Sequence, residues 1–294
     1  MSLDERLDVI MRLHDSRRLT ELQRAVFSVM GQSYRPIHLN LCTQRFTRGM
    51  ILDVRDALAP LLALHGAPTL DIHNYEERLP QDARSALANL GLAVANGRYA
   101  AFLDYDDTIY PEAYALLTHR LRESGAAIAF GGIAVKRADI EDGIFYVRSK
   151  QRPWRGKSVL DQFNANFCPI HSFVMDRTRL PEDLRFERDL SRHEDYDFLL
   201  RACAVSRSDF MQVESVIGDY YVKSDGSNSI LTESSFTDAN RAEWRQAETF
   251  VEQRRRTTVV APEVQVEAGL RTAVPGLTIR GLLDRLGRSV ARAA

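Results

Sequence analysis

The pattern of apolar and polar positions over the first 135 residues alternates between short apolar runs and longer amphipathic stretches. Short apolar runs predict strands, and stretches with apolar residues three or four positions apart predict helices. The predicted strands are 7–13, 37–42, 70–73, 99–103 and 127–135, and the predicted helices are 19–30, 53–64, 82–95 and 112–122. This alternation predicts a mostly parallel sheet that is covered by helices on both faces.

The pattern is looser after residue 139. Shorter patterns predict strands at 144–147 and 211–217, and helices at 158–163, 195–204 and 240–256. Residues 220–230 are predicted to form a polar loop, and residues 257–275 a linker before a last helix at 277–291. We therefore expect one α/β domain over residues 1–235 and a helical C-terminal appendage over residues 236–294.

Composition narrows the functional classes only slightly. Among 294 residues, 39 are basic and 40 acidic, so the net charge of −1 gives no reason to expect a nucleic-acid partner. The three cysteines, Cys42, Cys168 and Cys203, are an odd number and widely spaced, which fits a reducing compartment better than a disulfide framework. No apolar run approaches the roughly 20 residues of a membrane span. We expect a cytoplasmic protein.

The first candidate site follows the predicted strand 99–103. Asp104, Asp106 and Asp107 come directly after it, at the carboxyl edge where open α/β folds bind ligands. Acids this close repel one another, so a cation or another positive partner is needed to neutralise them. Mg²⁺ and Mn²⁺ bind carboxylate oxygens and keep positions open for phosphate. The alternative is a strand that ends in an Asx turn or a helix cap.

A second pair of acids stands before the predicted helix 195–204. Glu194 and Asp195 follow His193 there, and a carboxylate in such a position can accept a proton from a reacting hydroxyl. The alternative is that the two acids only interact favourably with the helix dipole. The residues alone leave both interpretations open.

The acidic stretch resembles segments of two known families. LDYDDT resembles the DxDxT nucleophile motif of haloacid-dehalogenase-type phosphatases, with Asp104, Asp106 and Thr108 in register, and also the "fLDaDD" segment of family 2 glycosyltransferases of the GT-A fold. Other segments resemble the second family in its own order: AVFSVMGQSYRPIHL, ARSALANLGLAVANGRYAAFLDYDD, FERDLSRHEDYDFLLRA and YYVKSDGSNSI. The phosphatases place their nucleophile near the start of the domain, so the order of the segments favours the glycosyltransferase.

The resemblance implies a Rossmann-like GT-A domain, with a nucleotide-binding half up to about residue 135 and an acceptor half over residues 136–235. It implies transfer from a nucleoside diphosphate sugar to a hydroxyl of a glycan acceptor, in polysaccharide or lipid-linked glycan synthesis. A divalent cation, Mn²⁺ or Mg²⁺, would be held by Asp106 and Asp107. Asp195, beside Glu194, would be the base, and a single base implies inversion at the sugar carbon.

Further residues are assigned to the donor by the same resemblance. Asp104 would support the site from the strand end, Asp106 would also lie near the ribose, and Lys223 would lie near the diphosphate. Three others match positions near the nucleotide: Asp15, Arg84 and Asn89. Gln44 falls where the family has an acid that reads the base, and its amide can donate and accept hydrogen bonds with a base edge. This departure leaves the base open.

The last helix is predicted to be basic and amphipathic over residues 277–292. Such a helix can lie on the inner face of an anionic membrane, or it can dock on the domain or on a second copy in a homo-oligomer. Three other functions stay open. They are a phosphatase that uses Asp104, a nucleotidyltransferase, for which the glycine-rich N-terminal loop is missing, and a non-catalytic transferase homologue that binds glycans or partners.

Overall fold

The computed structural model describes residues 5–141, 144–224 and 237–287. The strands are β1 (Leu7–Leu13), β2 (Ile37–Gln44), β3 (Thr69–Tyr75), β4 (Tyr99–Asp104), β5 (Thr108–Ile109), β6 (Ile128–Glu141), β7 (Ile144–Gln151), β8 (Phe173–Asp176) and β9 (Ser208–Lys223). The helices of these residues are α1 (Leu19–Met30), α2 (Arg48–Leu62), α3 (Arg84–Val94), α4 (Ala113–Ser124), α5 (Val159–Asn164), α6 (Glu194–Val205), α7 (Asp238–Thr257), α8 (Pro262–Glu267) and α9 (Ile279–Arg285).

The strands form one sheet in the order β3-β2-β1-β4-β8-β6-β9-β5, and β7 pairs with β6 beside it. The long ladders β1–β2, β1–β4, β2–β3 and β6–β9 are parallel, whereas β8 runs antiparallel to both β4 and β6. The predicted α/β fold with a mostly parallel sheet and helices around it is confirmed. The parallel part places the carboxyl ends of β1, β2 and β4 at one edge.

The sheet separates two hydrophobic clusters because successive side chains of a strand point to opposite faces. In β1, where all seven residues are buried, Val9 and Met11 join one cluster and Ile10 joins the other. Helices α1, α2 and α4 cover the first face, and α3, α5 and α6 cover the second. A strand buried on both faces reads as a continuous apolar run, which is why the sequence predicted β1 and β4 well.

Two pairings position the acidic stretch. Arg12, near the end of β1, lies in register with Asp104, the last residue of β4. The chain then turns, and β5 pairs with β9 through Thr108 and Asp219. The acidic turn between β4 and β5 therefore lies between the end of β1 and the end of β9.

The second half of the chain corrects three predictions. Residues 220–223 belong to strand β9 rather than to a polar loop, while residues 225–230 lie outside the described residues. The predicted linker 257–275 contains helix α8, whose Val264 is buried. The last helix ends at Arg285 rather than at residue 291, and residues 288–294 lie outside the described part.

The C-terminal helices pack against the second face of the sheet. Val251 of α7 and Leu282 and Leu283 of α9 belong to the same buried cluster as Phe163 and Phe198. The apolar face of α9 thus docks on the domain, so its buried leucines are not available for a membrane. Over residues 5–141, 144–224 and 237–287, helices of the length and apolarity needed to cross a membrane are absent.

Candidate active site

A cleft of about 200 Å³ opens at the carboxyl edge of the parallel strands. The sequence-predicted residues that line it are Gln44, Arg84, Asp104, Asp106 and Asp107. They come from the ends of β2 and β4 and from the start of α3, three elements that the parallel topology brings to one edge. This is the position at which ligands bind in open α/β sheets.

Asp104 is held by a buried arginine of the neighbouring strand. The Arg12 guanidinium donates from Nε and Nη2 to the two Asp104 oxygens, at 2.7 and 2.6 Å. Its Nη1 donates to Oε1 of Glu194, the first residue of α6, at 3.1 Å. Although burial opposes the charge, these carboxylates raise the pKa of Arg12, and Arg12 lowers the pKa of Asp104. One cation therefore connects the acidic turn with the helix that carries Glu194 and Asp195.

Asp106 has a different cation beside it. Lys223 Nζ donates to Asp106 Oδ2 at 2.8 Å, and the Lys223 side chain is fully buried. Arg24 donates to the Asp106 backbone oxygen at 2.6 Å, and its guanidinium lies 4.1 Å from the Phe145 ring centre and 4.2 Å from that of Tyr221. The turn is thus held on both its side-chain and its backbone oxygens.

Asp107 points into the protein. Its Oδ1 accepts a hydrogen bond from the Tyr221 amide at 3.0 Å, and its Oδ2 lies 3.5 Å from Nδ1 of the buried His171. Burial, together with the charges of Asp106 and Asp104, raises the pKa of Asp107 well above its usual range. Burial also lowers the pKa of His171, to about 4. The raised pKa of Asp107 and the lowered pKa of His171 both favour the neutral forms of these side chains.

The three acids of the turn do not form a ready site for the predicted divalent cation. Asp104 faces Arg12, Asp106 faces Lys223, and Asp107 faces Tyr221 and His171. Consistently, within the described residues no three His, Cys, Asp or Glu side chains are grouped so that they could share a metal ion. The protein itself supplies positive partners for Asp104 and Asp106, namely Arg12 and Lys223.

Asp195 lies in the first turn of α6. Its Oδ1 accepts from the Tyr196 amide at 2.7 Å, and Asn166 Nδ2 is 3.5 Å away. Burial, followed by repulsion from Glu194, raises the pKa of Asp195 to about 7. A carboxylate with such a pKa can take up a proton near neutral pH.

Tyr220 shows that the acidic turn and Asp195 face the same region. Burial raises the pKa of its phenol, and so do the negative charges of four carboxylates: Asp107, Asp106, Asp104 and Asp195. Tyr220 also lines the cleft, and its ring stacks on His171 with the ring centres 6.2 Å apart. Asp195 is not itself a lining residue, but its charge acts on one that is.

Gln44 and Arg84, which the sequence analysis assigned to donor binding, both line the cleft. Gln44 Nε2 donates to the Gln81 backbone oxygen at 3.0 Å, so its amide lies beside the segment that leads into α3. Arg84 pairs with Asp82 at 2.8 Å. Although burial opposes the charge, Glu194 and Asp82 raise the pKa of Arg84, so this cation also faces the acid of α6.

Two predicted residues lie elsewhere. Asp15 hydrogen-bonds with Arg17, which lowers its pKa to about 2, and His14 rather than Asp15 lines the cleft. Asn89 exchanges both of its amide hydrogen bonds with the backbone of Phe186, at 2.8 and 2.9 Å. These contacts fix α3 to the segment before α6, and we assign Asn89 to packing rather than to donor binding.

Three residues of the site were missed by the sequence analysis: Arg12, His171 and Tyr220. Arg12 had a signal, because it is a charged residue in a mostly apolar strand that is buried throughout, and such a charge needs a partner. His171 and Tyr220 had none, since they meet the acidic turn only through the pairings of β8 and β9 with distant strands.

Backbone conformation marks the same region. In the described ranges, Arg45 and His193 are the non-glycine residues with positive φ, at 56° and 58°. Arg45 directly follows Gln44, and His193 directly precedes Glu194. Left-handed backbone at a residue with a side chain is costly and is found often at functional sites.

Comparison with known proteins gives relatives of low identity. No family model matches the chain. The chain is 26% identical over 227 residues to the succinoglycan biosynthesis protein ExoO of Rhizobium meliloti, which covers 74% of the chain and 61% of ExoO. It is also 26% identical over 121 residues to the uncharacterized glycosyltransferase MJ1057 of Methanocaldococcus jannaschii. This alignment covers 41% of the chain and 41% of MJ1057. The chain thus spans less than two thirds of these relatives.

Two solved structures have a similar fold. TarS of S. aureus, in complex with UDP-GlcNAc, matches with a TM-score of 0.56 at 12% identity, over 92% of this chain and 68% of that one. The mannosyltransferase PcManGT of Pyrobaculum calidifontis, in complex with GDP-Man and Mn²⁺, matches with a TM-score of 0.50 at 13% identity, over 95% and 68%. The chain has the α/β fold of these two glycosyltransferase structures.

Proposed function

We propose that the chain is an inverting glycosyltransferase of family 2, with a GT-A fold, that moves a sugar from a nucleoside diphosphate sugar to a hydroxyl of a glycan acceptor. The observation that carries the proposal is the Arg12 guanidinium, which bonds both Asp104 in the cleft and Glu194 beside Asp195. This contact supports a single site that contains both the proposed nucleotide site and the proposed base. ExoO, named for succinoglycan biosynthesis, supports a role in polysaccharide or lipid-linked glycan synthesis.

The donor would bind along the cleft. Arg84 and Arg12 line it and provide guanidinium groups, which suit phosphate oxygens. Gln44, at the end of β2, is placed to hydrogen-bond a base edge. The complexes of TarS with UDP-GlcNAc and of PcManGT with GDP-Man support a nucleotide sugar as the donor class.

Asp195 would act as the base. Its carboxylate takes the proton of the acceptor hydroxyl while that oxygen forms a bond with the sugar carbon. The bond between this carbon and the phosphate oxygen breaks, and the electron pair leaves with the diphosphate. A single displacement on the face opposite the leaving group inverts the configuration at the carbon. A pKa of about 7 leaves about half of Asp195 ionised at neutral pH, which suits a base.

The leaving diphosphate gains negative charge as the bond breaks, so preorganised positive groups would stabilise the transition state. Lys223, buried at 2.8 Å from Asp106, is such a group at the acidic turn. The phosphatase alternative is disfavoured by the same geometry, because both oxygens of Asp104 are bonded to Arg12 and are not presented for attack.

A thermal-shift panel with UDP, GDP, dTDP and CMP tests the donor class. A nucleotide that binds the folded chain raises its melting temperature by mass action, so the cognate base should stand out. With the matching nucleotide sugar, the anomeric configuration of the product, read by NMR, should be opposite to that of the donor. Retained configuration would contradict a single displacement by Asp195.

A further inference from the structure

We infer that the resident cation of the diphosphate site is the ammonium of Lys223, and that nucleotide binding and sugar transfer need no divalent metal. This inference rests on the proposed function and specifies its chemistry. It concerns how the charge of the acidic turn is balanced, and how the negative charge of the departing diphosphate is met. The leaving group takes the electron pair of the broken bond.

The first support is the pairing of the carboxylates. Asp104 receives two hydrogen bonds from Arg12 at 2.7 and 2.6 Å, and Asp106 receives one from Lys223 at 2.8 Å. Asp104 and Asp106 therefore each have their own cation, and the third acid of the turn, Asp107, is driven towards its neutral form. The repulsion that would otherwise require a bound ion is balanced within the chain.

The second support is the way Lys223 is fixed. It is the last residue of β9, and β9 is paired with β5, which follows the acidic turn directly. Its side chain is fully buried, and its ammonium lies 5.7 Å from the centre of the Tyr105 ring. Two paired strands thus set the charge beside Asp106, which itself lines the cleft. A charge held in a protein interior acts strongly on a phosphate nearby.

The third support is competition for the same carboxylate. A divalent ion on Asp106 would lie within a few ångströms of the Lys223 ammonium, and the two positive charges would repel each other. Mg²⁺ needs only one or two carboxylates when phosphates supply other oxygens, so the decisive point is that Lys223 holds Oδ2 of Asp106. A metal on this oxygen would first have to displace a buried ammonium.

The test measures nucleotide affinity by calorimetry, with the nucleoside diphosphate that the panel selects, in EDTA and in Mn²⁺. For the wild-type chain we expect dissociation constants within about threefold of each other. Lys223→Met keeps an apolar stem without the charge and should weaken binding at least tenfold in EDTA. Because the substitution frees Asp106, Mn²⁺ should restore part of the affinity. Lys223→Arg should retain most of it without metal.

The matched control is Lys136→Met. Lys136 also pairs with a buried acid, Asp219, at 2.6 Å, but Asp219 does not line the cleft, whereas Asp106, the partner of Lys223, does. We expect nucleotide affinity within about twofold of wild type for this variant. Melting curves show whether each variant is folded before its affinity is compared.

Three results would overturn the inference. Wild-type chain that binds the nucleotide only with Mn²⁺ would refute it and leave the proposed function standing. Lys223→Met with unchanged affinity in EDTA would refute it in the same way. Wild-type chain that binds no nucleoside diphosphate under either condition would refute the proposed function and this inference together.

Discussion

At the scale of single residues, the site depends on which positive group each acid meets. Three acids of one turn have three environments: Asp104 is ionised by Arg12, Asp106 is paired with Lys223, and buried Asp107 is driven towards its neutral form. The sequence could predict that these acids cluster at a sheet edge, because their position after an apolar strand shows it. It could not predict their partners, because Arg12 and Lys223 come from distant parts of the chain.

Asp195→Asn is expected to lower the transfer rate at least a thousandfold, because the amide cannot take the proton of the acceptor hydroxyl. Nucleotide affinity should stay within about threefold, since Asp195 does not line the cleft. Steady-state rates and calorimetry measure the two quantities. Unchanged turnover would remove Asp195 from the role of base.

The transfer rate is expected to rise with pH up to about pH 7, where Asp195 loses its proton, and then to level off. Below that pH the rate should fall about tenfold per unit, because only the ionised carboxylate accepts a proton. Glu194→Gln removes a negative charge that raises the pKa of Asp195, so the rising limb should move to lower pH. The pH dependence of kcat for both chains measures this. If the rising part of the pH profile of kcat is at the same pH in both chains, Glu194 does not act on Asp195.

At the scale of elements, the sequence predicted helices and strands best where one face or both faces of the element are buried, because the apolar pattern is then clear within a short stretch of chain. The strand 7–13 and the helix 19–30 are observed with the predicted bounds. Residues 220–223 were predicted as loop because they are polar in part, yet pairing with β6 makes them a strand. The six residues of helix α8 fall in the stretch 257–275 that was predicted as a linker. Long-range pairing leaves little local signal in the sequence.

Helix α7 supports α6 through buried Arg255. Its Nε donates to the Phe163 oxygen at 2.9 Å, and its Nη2 donates to the Tyr196 hydroxyl at 2.7 Å. Arg255→Met removes both of these buried hydrogen bonds, so the free energy of unfolding should fall by about 2–4 kcal/mol in urea denaturation. Arg256→Met is the control. Arg256 is exposed, and its loss should cost less than about 0.5 kcal/mol. An equal fall in the free energy of unfolding for both variants would contradict the view that Arg255 stabilises the packing of α7 on α6.

At the scale of the whole molecule, the C-terminal helices and the sheet share one hydrophobic cluster. Leu283 of α9 and Phe198 of α6 both belong to it. The sequence showed that α9 has an apolar face but not what covers it. Membrane, second copy and domain are equally apolar partners, and only the tertiary structure distinguishes them.

We expect the chain to unfold in a single transition, since its parts share this cluster. The chain has two tryptophans, Trp154 before α5 and Trp244 on α7. In Trp154→Phe and Trp244→Phe, fluorescence reports one region each, and each urea midpoint should coincide with that of far-UV circular dichroism. An earlier midpoint for Trp244 alone would show that the C-terminal helices unfold separately.

The double attachment of Arg12 has a consequence for cooperativity between the two substrates. Asp104 and Glu194 share one guanidinium, and Glu194 in turn sets part of the charge that Asp195 experiences. A donor that draws Asp104 away from Arg12 would leave that cation to Glu194 and so make ionisation of Asp195 easier. By thermodynamic reciprocity, ionisation of Asp195 would then favour the donor to the same extent. In the proposed function, arrival of the sugar nucleotide and readiness to deprotonate the acceptor would thereby be coupled through a single side chain.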